Sequence, residues 1–344
     1  MTPFADRLAH TIASTGPMPV ARWMTLCNAN YYETRDPFGV GGDFTTAPEI
    51  SQMFGELIGA WFVEMWRRAG SPPNARLVEL GPGRGTMMAD MLRSTTAAKW
   101  TPAVDFVETS PLLRSAQAAR VPGAMWHDNL EHVPDDAPLF LVANEFFDAL
   151  PVRQFERVVA GWRERMVAAD DGGFIPALAP SDATALVPPR LAAATVGSVV
   201  EASPASTAIA AEIGARLARH GGAALIVDYG YAGPATGDTL QAIRAHAFAD
   251  PIADPGEADL TAHVDFGALA AAAGVAAFGP VGQGRFLRAL GIDARASMLK
   301  ARATGPQAVA IDAAVARLTG DTAMGTLFKV LALSPDRKPI AGFE

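Results

Sequence analysis

The sequence predicts an α/β fold built on a doubly wound, parallel sheet. Three observations carry this. Apolar runs at 76–80, 104–108, 124–127 and 139–143 alternate with helical patterns, and strands separated by helices pair in parallel. The first run ends in Gly81-Pro82-Gly83-Arg84-Gly85, whose alternate glycines allow a sharp turn and a close backbone approach to a ligand. Polar side chains stand at four successive strand ends, where such sheets bind ligands.

The elements follow in order. Residues 4–14 and 17–29 read as two short helices, with Pro17 and Pro19 near the start of the second. Residues 31–49 read as a loop, unusually rich in aromatic and polar groups. A helix over about 49–69 buries Ile50, Phe54, Leu57, Ile58, Trp61, Phe62 and Met65, and Gly70 with Pro72-Pro73 stops it. Strand 76–80 leads through the glycine turn into helix 85–98, with Met87, Met88, Met91 and Leu92 on one face. Strand Val104–Glu108 precedes a helix from Ser110, and strand 124–127 ends in His127-Asp128-Asn129. The fourth strand, Leu139 to Ala143, runs into Asn144-Glu145-Phe146-Phe147-Asp148-Ala149-Leu150-Pro151. Residues 152–169 suggest an inserted hairpin and 170–190 a loop. A helix over 204–220, a fifth strand over 223–228 and a long polar connection over 232–263 come next. Helix 265–273, a strand near 275–281, helices about 284–303 and 306–318, and a last strand at 326–333 close the sheet.

Composition narrows the function. Of 344 residues half are apolar, enough for a substantial core, and the net charge is -8. No block of Lys or Arg stands out, which argues against nucleic-acid binding. The single cysteine, Cys27, excludes an internal disulfide framework and a cysteine metal cluster. The six histidines are dispersed, so no metal site is expected. No run reaches the ~18 apolar residues of a membrane span, and no long repeat is visible.

The glycine loop admits two readings. A dinucleotide fingerprint needs G-x-G-x-x-G, whereas Gly81, Gly83 and Gly85 form G-x-G-x-G after Glu79. That spacing is similar to the first motif of class I S-adenosylmethionine (SAM) methyltransferases. Glu108, 23 residues after Gly85, ends the next strand, where a carboxylate can accept both ribose hydroxyl protons; nicotinamide and SAM enzymes share that feature. Asp128 could accept from an adenine amino group, with Asn129 as its alternative, or the pair could cap a helix. Asn144 to Pro151 gathers an amide, two carboxylates and two aromatics at a central strand end. Methyl transfer needs a positioned, unprotonated nucleophile, and carboxylates would fix an amine or guanidinium. Glu145 and Asp148 are the candidates, with Phe146 and Phe147 as pocket wall or core. His263 and Asp265 either serve the site or cap a helix.

A wider set of stretches resembles one family: Tyr31-Tyr32, Asp36 to Gly39, Gly42 to Gln52, Glu79 to Thr86, Glu108 to Pro111, Asn144 to Pro151, Asp228-Tyr229-Gly230, Asp259 to Phe266, Met324-Gly325 and Phe328-Lys329. Over nearly the whole chain these resemble the MidA family of SAM-dependent methyltransferases, whose mitochondrial members are complex I assembly factors that methylate an arginine. The resemblance implies a seven-stranded class I methyltransferase sheet, a helical N-terminal extension with an aromatic loop (1–74), and a methyltransferase domain (75–344) with insertions at about 152–200 and 232–263. It implies SAM as cofactor, with Glu79, Gly81, Pro82, Gly83, Gly85, Glu108, Ser110, Asp128, Asn129, Asn144 and Thr45 as the cofactor set. It implies a protein arginine as substrate, with a respiratory complex I subunit as one candidate partner and a homodimer allowed for. In other arginine methyltransferases an acidic clamp begins where Glu145 stands here. The second Glu of that clamp is missing, since 153 is Arg and 154 is Gln, so Asp148 or Glu49 would substitute. No presequence is visible, which points to a bacterial cytoplasmic member. Two alternatives stay open: a SAM-binding assembly factor without turnover, and methyl transfer to a small molecule.

Overall fold

The computed structural model describes residues 2–34, 46–170, 173–244 and 247–344. Its main sheet holds seven strands, β1 (Arg76–Leu80), β2 (Ala103–Val107), β3 (Met125–His127), β4 (Leu139–Asn144), β5 (Gly222–Tyr231), β6 (Ala276–Gly282) and β7 (Phe328–Ser334), in the order β6-β7-β5-β4-β1-β2-β3. All neighbours are parallel except β7, which runs antiparallel to β5 and β6. A two-residue strand, Val264–Asp265, adds to the end of β5. The topology is that of a class I methyltransferase, and the expected doubly wound sheet is mixed only through β7.

Apolar runs become central strands because both sheet faces are covered. Every residue of β4 is buried. Leu77, Phe140, Val142 and Leu225 face one side, where helices α4 (Gln52–Arg68) and α5 (Thr86–Ala97) bury Phe54, Ile58, Phe62, Met88 and Met91. Val78, Leu80, Leu141 and Ile226 face the other, against Ile213 and Leu217 of the helix Pro204–His220 and Phe266 and Leu269 of the helix Phe266–Ala273. The seam between α4 and α5 is made by small residues. A Cβ at Gly59 would stand 2.7 Å from the Met91 backbone, and one at Gly55 2.5 Å from Asp90 Cβ.

The structure departs from the sequence expectation in four places. The second helix spans Val20–Thr34, because Trp23, Met24, Cys27 and Tyr31 continue one buried stripe; Tyr31 and Tyr32 are therefore helical and not loop. The inserted hairpin exists, 153–158 paired with 161–170. It belongs to a five-stranded sheet that also takes in 18–19, 173–178 and 199–202, so part of the expected loop 170–190 is strand. The connection 232–263 folds its segments 241–244, 247–249 and 259–261 into a three-stranded antiparallel sheet. The single helix expected over 284–303 is two, Gln283–Ala289 and Ile292–Lys300, divided at Gly291, whose φ of 91° a helix interior cannot hold. One apolar cluster joins the first two helices to both insertions through Leu8, Trp23, Met24, Val152, Val167 and Leu260. The Cys27 thiol lies inside it, and burial pushes its pKa up to about 12, so it is a packing group. Among the described residues no helix is long and apolar enough to cross a membrane.

Candidate functional site

The turn after β1 is built as its glycines require. Gly81, Gly83 and Gly85 have φ of 60°, 53° and 76°, the left-handed region that side chains with a Cβ rarely enter. Gly85 N–H donates to the Pro82 carbonyl at 2.8 Å and closes the turn. A Cβ at Gly81 would come 2.9 Å from the Phe146 ring. The first turn of α5, capped by no side chain, follows at once, leaving N–H groups toward the cleft.

Glu79 is 2% exposed. Desolvation pushes its pKa far up, against a hydrogen bond from the Met88 N–H. Its Oε2, together with Asn144 Oδ1 and Asp148 Oδ1, is a buried acceptor without a hydrogen-bond partner among the described residues. Buried acceptors of this kind call for a donor. All three side chains line one cleft beside Gly81 and Gly83, together with Glu49, Glu145, Asp259, Tyr32 and Tyr229. Arg84 is the one basic side chain among the described residues lining it. Five carboxyl groups facing one basic group suit a cationic ligand.

Glu145 follows β4 in a left-handed conformation, φ 49°. That costs a non-glycine residue about 1 kcal/mol or more and marks functional turns. Its N–H donates to the Val227 carbonyl at 2.9 Å, and its Oε1 accepts from Ala47 N–H at 3.2 Å and from Asn144 Nδ2 at 3.3 Å. Desolvation and the Asp148 charge push its pKa up to about 8. Desolvation also raises Asp148, to about 6, against a hydrogen bond from the Tyr229 hydroxyl. The loop carrying both is pinned from beneath by Asp228, in the last half of β5. Its Oδ2 accepts from Phe147 N–H at 3.0 Å and Asp148 N–H at 3.2 Å, and its Oδ1 from Tyr229 N–H at 2.9 Å. Phe147 is core, whereas Phe146 covers Gly81 and walls the neighbouring grooves.

The raised Glu145 pKa has a stability consequence. Unfolded, the group titrates near its ordinary 4.5; folded, near 8. Between those values the native state holds the extra proton, so stability falls as pH rises across that window. Glu145→Gln, which mimics the protonated form, should match wild type near pH 4.5. Near pH 9 it should be more stable by about 1–3 kcal/mol. Melting temperatures at the two pH values check this; parallel profiles for the two proteins would contradict it.

Glu108 lines two grooves that adjoin the cleft through Gly81. Its Oε1 accepts from Ser110 N–H at 2.8 Å and its Oε2 from Gln117 Nε2 at 3.2 Å, which leaves lone pairs for further donors. The Ser110 hydroxyl caps the helix Pro111–Arg120, accepting from Leu113 N–H at 3.4 Å and donating to the Tyr32 carbonyl at 3.3 Å. Asp128 and Asn129 line the outer groove. Asp128 pairs with Arg114 at 2.7 Å, and Asn129 caps the short helix Leu130–His132. Glu49 sits at the start of α5, accepting from the Thr86 hydroxyl, with Arg120 at 3.9 Å.

The structure thus gathers Glu49, Glu79, Gly81, Pro82, Gly83, Asn144, Glu145 and Asp148 in one cleft. Glu108, Ser110, Asp128 and Asn129 extend it outward, Gly85 shapes the turn, and Thr45 lies outside the described residues. Asp265 N-caps its helix, accepting from Ala268 N–H at 2.9 Å, and with His263 lines a separate cavity. Gln154 is turned elsewhere, bonded to Glu201 at 2.8 Å and Asp238 at 2.9 Å. Sequence reasoning gave no role to Tyr32, Asp228, Tyr229, Asp259 or Thr261, although all lie in or beside the motif stretches.

Comparison with known proteins agrees with this geometry. A family profile for S-adenosyl-L-methionine-dependent methyltransferases matches residues 57–281. The mitochondrial protein arginine methyltransferase NDUFAF7 homologue of Drosophila melanogaster is 40% identical, aligned over 99% of this chain and 88% of its own. NDUFAF7 of Mus musculus is 38% identical over 100% and 87%. A crystal structure from Burkholderia thailandensis bound to S-adenosyl-homocysteine superposes with a TM-score of 0.84 at 29% identity, covering 98% of this chain and 93% of that one. These relatives correct one expectation. The bacterial cytoplasmic location does not stand, because the curated relatives are mitochondrial proteins; it had rested on the absence of a visible presequence, from which no location follows.

Proposed function

The chain belongs to the MidA family of SAM-dependent methyltransferases, and from that premise we propose that it methylates an arginine of a protein substrate. The observation that carries this is the cleft in which Glu145 and Asp148 converge beside the glycine turn. The fit to the cofactor rests on the buried acceptor Glu79 Oε2 and on a turn at Gly81 with no room for a Cβ. Glu79 with the Gly81–Gly83 backbone would hold the amino-acid end, Glu108 the ribose hydroxyls, and Asp128 or Asn129 the adenine. Bound there, SAM supplies a methyl group that passes in line from sulfur to a nitrogen, the carbon–sulfur electron pair returning to sulfur.

The remaining work falls to the chain's own residues. Glu145 and Asp148 neutralise a guanidinium and fix its plane, so that a nitrogen lone pair points at the methyl group. As the new nitrogen–carbon bond forms, that nitrogen sheds one proton. Glu145, whose carboxylate form a bound guanidinium would favour over the protonated form that burial and the Asp148 charge favour in its absence, is placed to take it. Tyr229, hydrogen-bonded to Asp148 and Thr261, keeps the Asp148 carboxylate oriented. Two of the relatives are named protein arginine methyltransferases, which supports a protein arginine as the substrate, and a respiratory complex I subunit is the partner this reading proposes. Incubation with methyl-labelled SAM and a protein extract should place label in the protein fraction. Label confined to small molecules would favour a metabolite substrate instead.

A further inference from the structure

The cleft has a second acidic wall that comes from neither β4 nor the glycine turn. Asp259, 5% exposed, stands on the strand 259–261 of the second insertion. Its Oδ1 accepts from the Tyr32 hydroxyl at 2.9 Å, and Tyr32 closes α2 (Val20–Thr34), the second helix of the chain. Tyr32, Ile243, Asp259 and Thr261 all line the cleft that holds Glu145 and Asp148. Burial together with the Asp259 and Asp148 charges pushes the Tyr32 phenol far up, so it remains a donor at any working pH.

A guanidinium is a planar fork of five N–H donors, and carboxylates on two of its edges are needed to satisfy it. Glu145 and Asp148 come from one loop and form one wall. We propose that Asp259, held by Tyr32, is the second wall of the guanidinium site, and that this insertion-borne carboxylate makes the site select arginine over lysine. An ammonium offers its three donors from a single atom and cannot bridge the two walls as a fork does. Selectivity therefore resides in the contact between the N-terminal helix and the second insertion, outside the methyltransferase sheet. This inference rests on the proposed arginine reading.

The test uses the full chain saturated with S-adenosylhomocysteine, titrated with N-acetyl-L-arginine methylamide and with N-acetyl-L-lysine methylamide while NMR line shapes are followed. Wild type should bind the arginine probe at least about tenfold more tightly than the lysine probe. Asp259→Asn should weaken arginine binding about ten- to hundredfold with S-adenosylhomocysteine affinity unchanged. Tyr32→Phe, which keeps the ring but removes the hydroxyl that donates to Asp259, should cut the arginine-to-lysine ratio about three- to tenfold. Asp259→Asn that keeps wild-type arginine affinity, or that loses S-adenosylhomocysteine instead, overturns the assignment. If Glu145→Gln still abolishes arginine binding in that case, the parent reading survives. A wild-type protein with no preference for the arginine probe, and no response to Glu145→Gln, removes both.

Discussion

Glu145→Gln is expected to lower kcat/KM for methyl transfer by about two to three orders of magnitude, about 3–4 kcal/mol of transition-state stabilisation. S-adenosylhomocysteine binding should stay within about twofold. The substitution keeps the shape and the acceptor that meets Ala47 N–H. It removes the negative charge that a guanidinium needs and the base that takes its proton. The backbone at Glu145 is left-handed, φ 49°, and its side chain meets Ala47 N–H and lines the cleft. Glu145→Asp should recover only part of the activity, because a shorter side chain cannot keep the Ala47 contact and reach the substrate. Turnover near the wild-type rate in Glu145→Gln would sink the proposed role.

Asp228→Ala is expected to have the largest effect on stability, about 3–5 kcal/mol, with loss of activity beyond what partial unfolding explains. Asp228 is fully buried, and its two oxygens receive the N–H groups of Phe147, Asp148 and Tyr229. Alanine leaves two buried donors and one half-buried donor without this acceptor and frees the loop that carries the acidic wall. Asp228→Asn should be milder, since one acceptor oxygen survives. Denaturant midpoints, followed together with methyl transfer, check this. An Asp228→Ala protein as stable as wild type would show that the loop is held by packing alone.

What was legible in the sequence was local. The glycine turn could be read because positive φ at Gly81, Gly83 and Gly85 is a demand that residue type answers directly. The central strands could be read because a strand covered on both faces is a continuous apolar run. Glu145 and Asp148 stood out because charge at such a strand end has few structural reasons. The edge segments were not legible. Residues 173–178 carry Pro176 and mostly exposed or half-exposed positions, so they lack the alternation that marks a strand. The sheet of the 232–263 segment packs on the N-terminal helices through contacts distant in the chain. The Tyr32–Asp259 bond joins residues 227 positions apart, and neither residue type announces its partner. For the missing second carboxylate the sequence offers Asp148 or Glu49 and gives no sign of Asp259, which the fold places in the same cleft.

The central claim is that this cleft receives an arginine beside SAM. Its most direct measurement is amino-acid analysis of protein labelled by the enzyme from methyl-labelled SAM, after complete acid hydrolysis. Label that co-elutes with methylated arginine, and disappears with Glu145→Gln, is the predicted result. Label recovered as methyllysine, or on a carboxyl ester lost in hydrolysis, would contradict the claim.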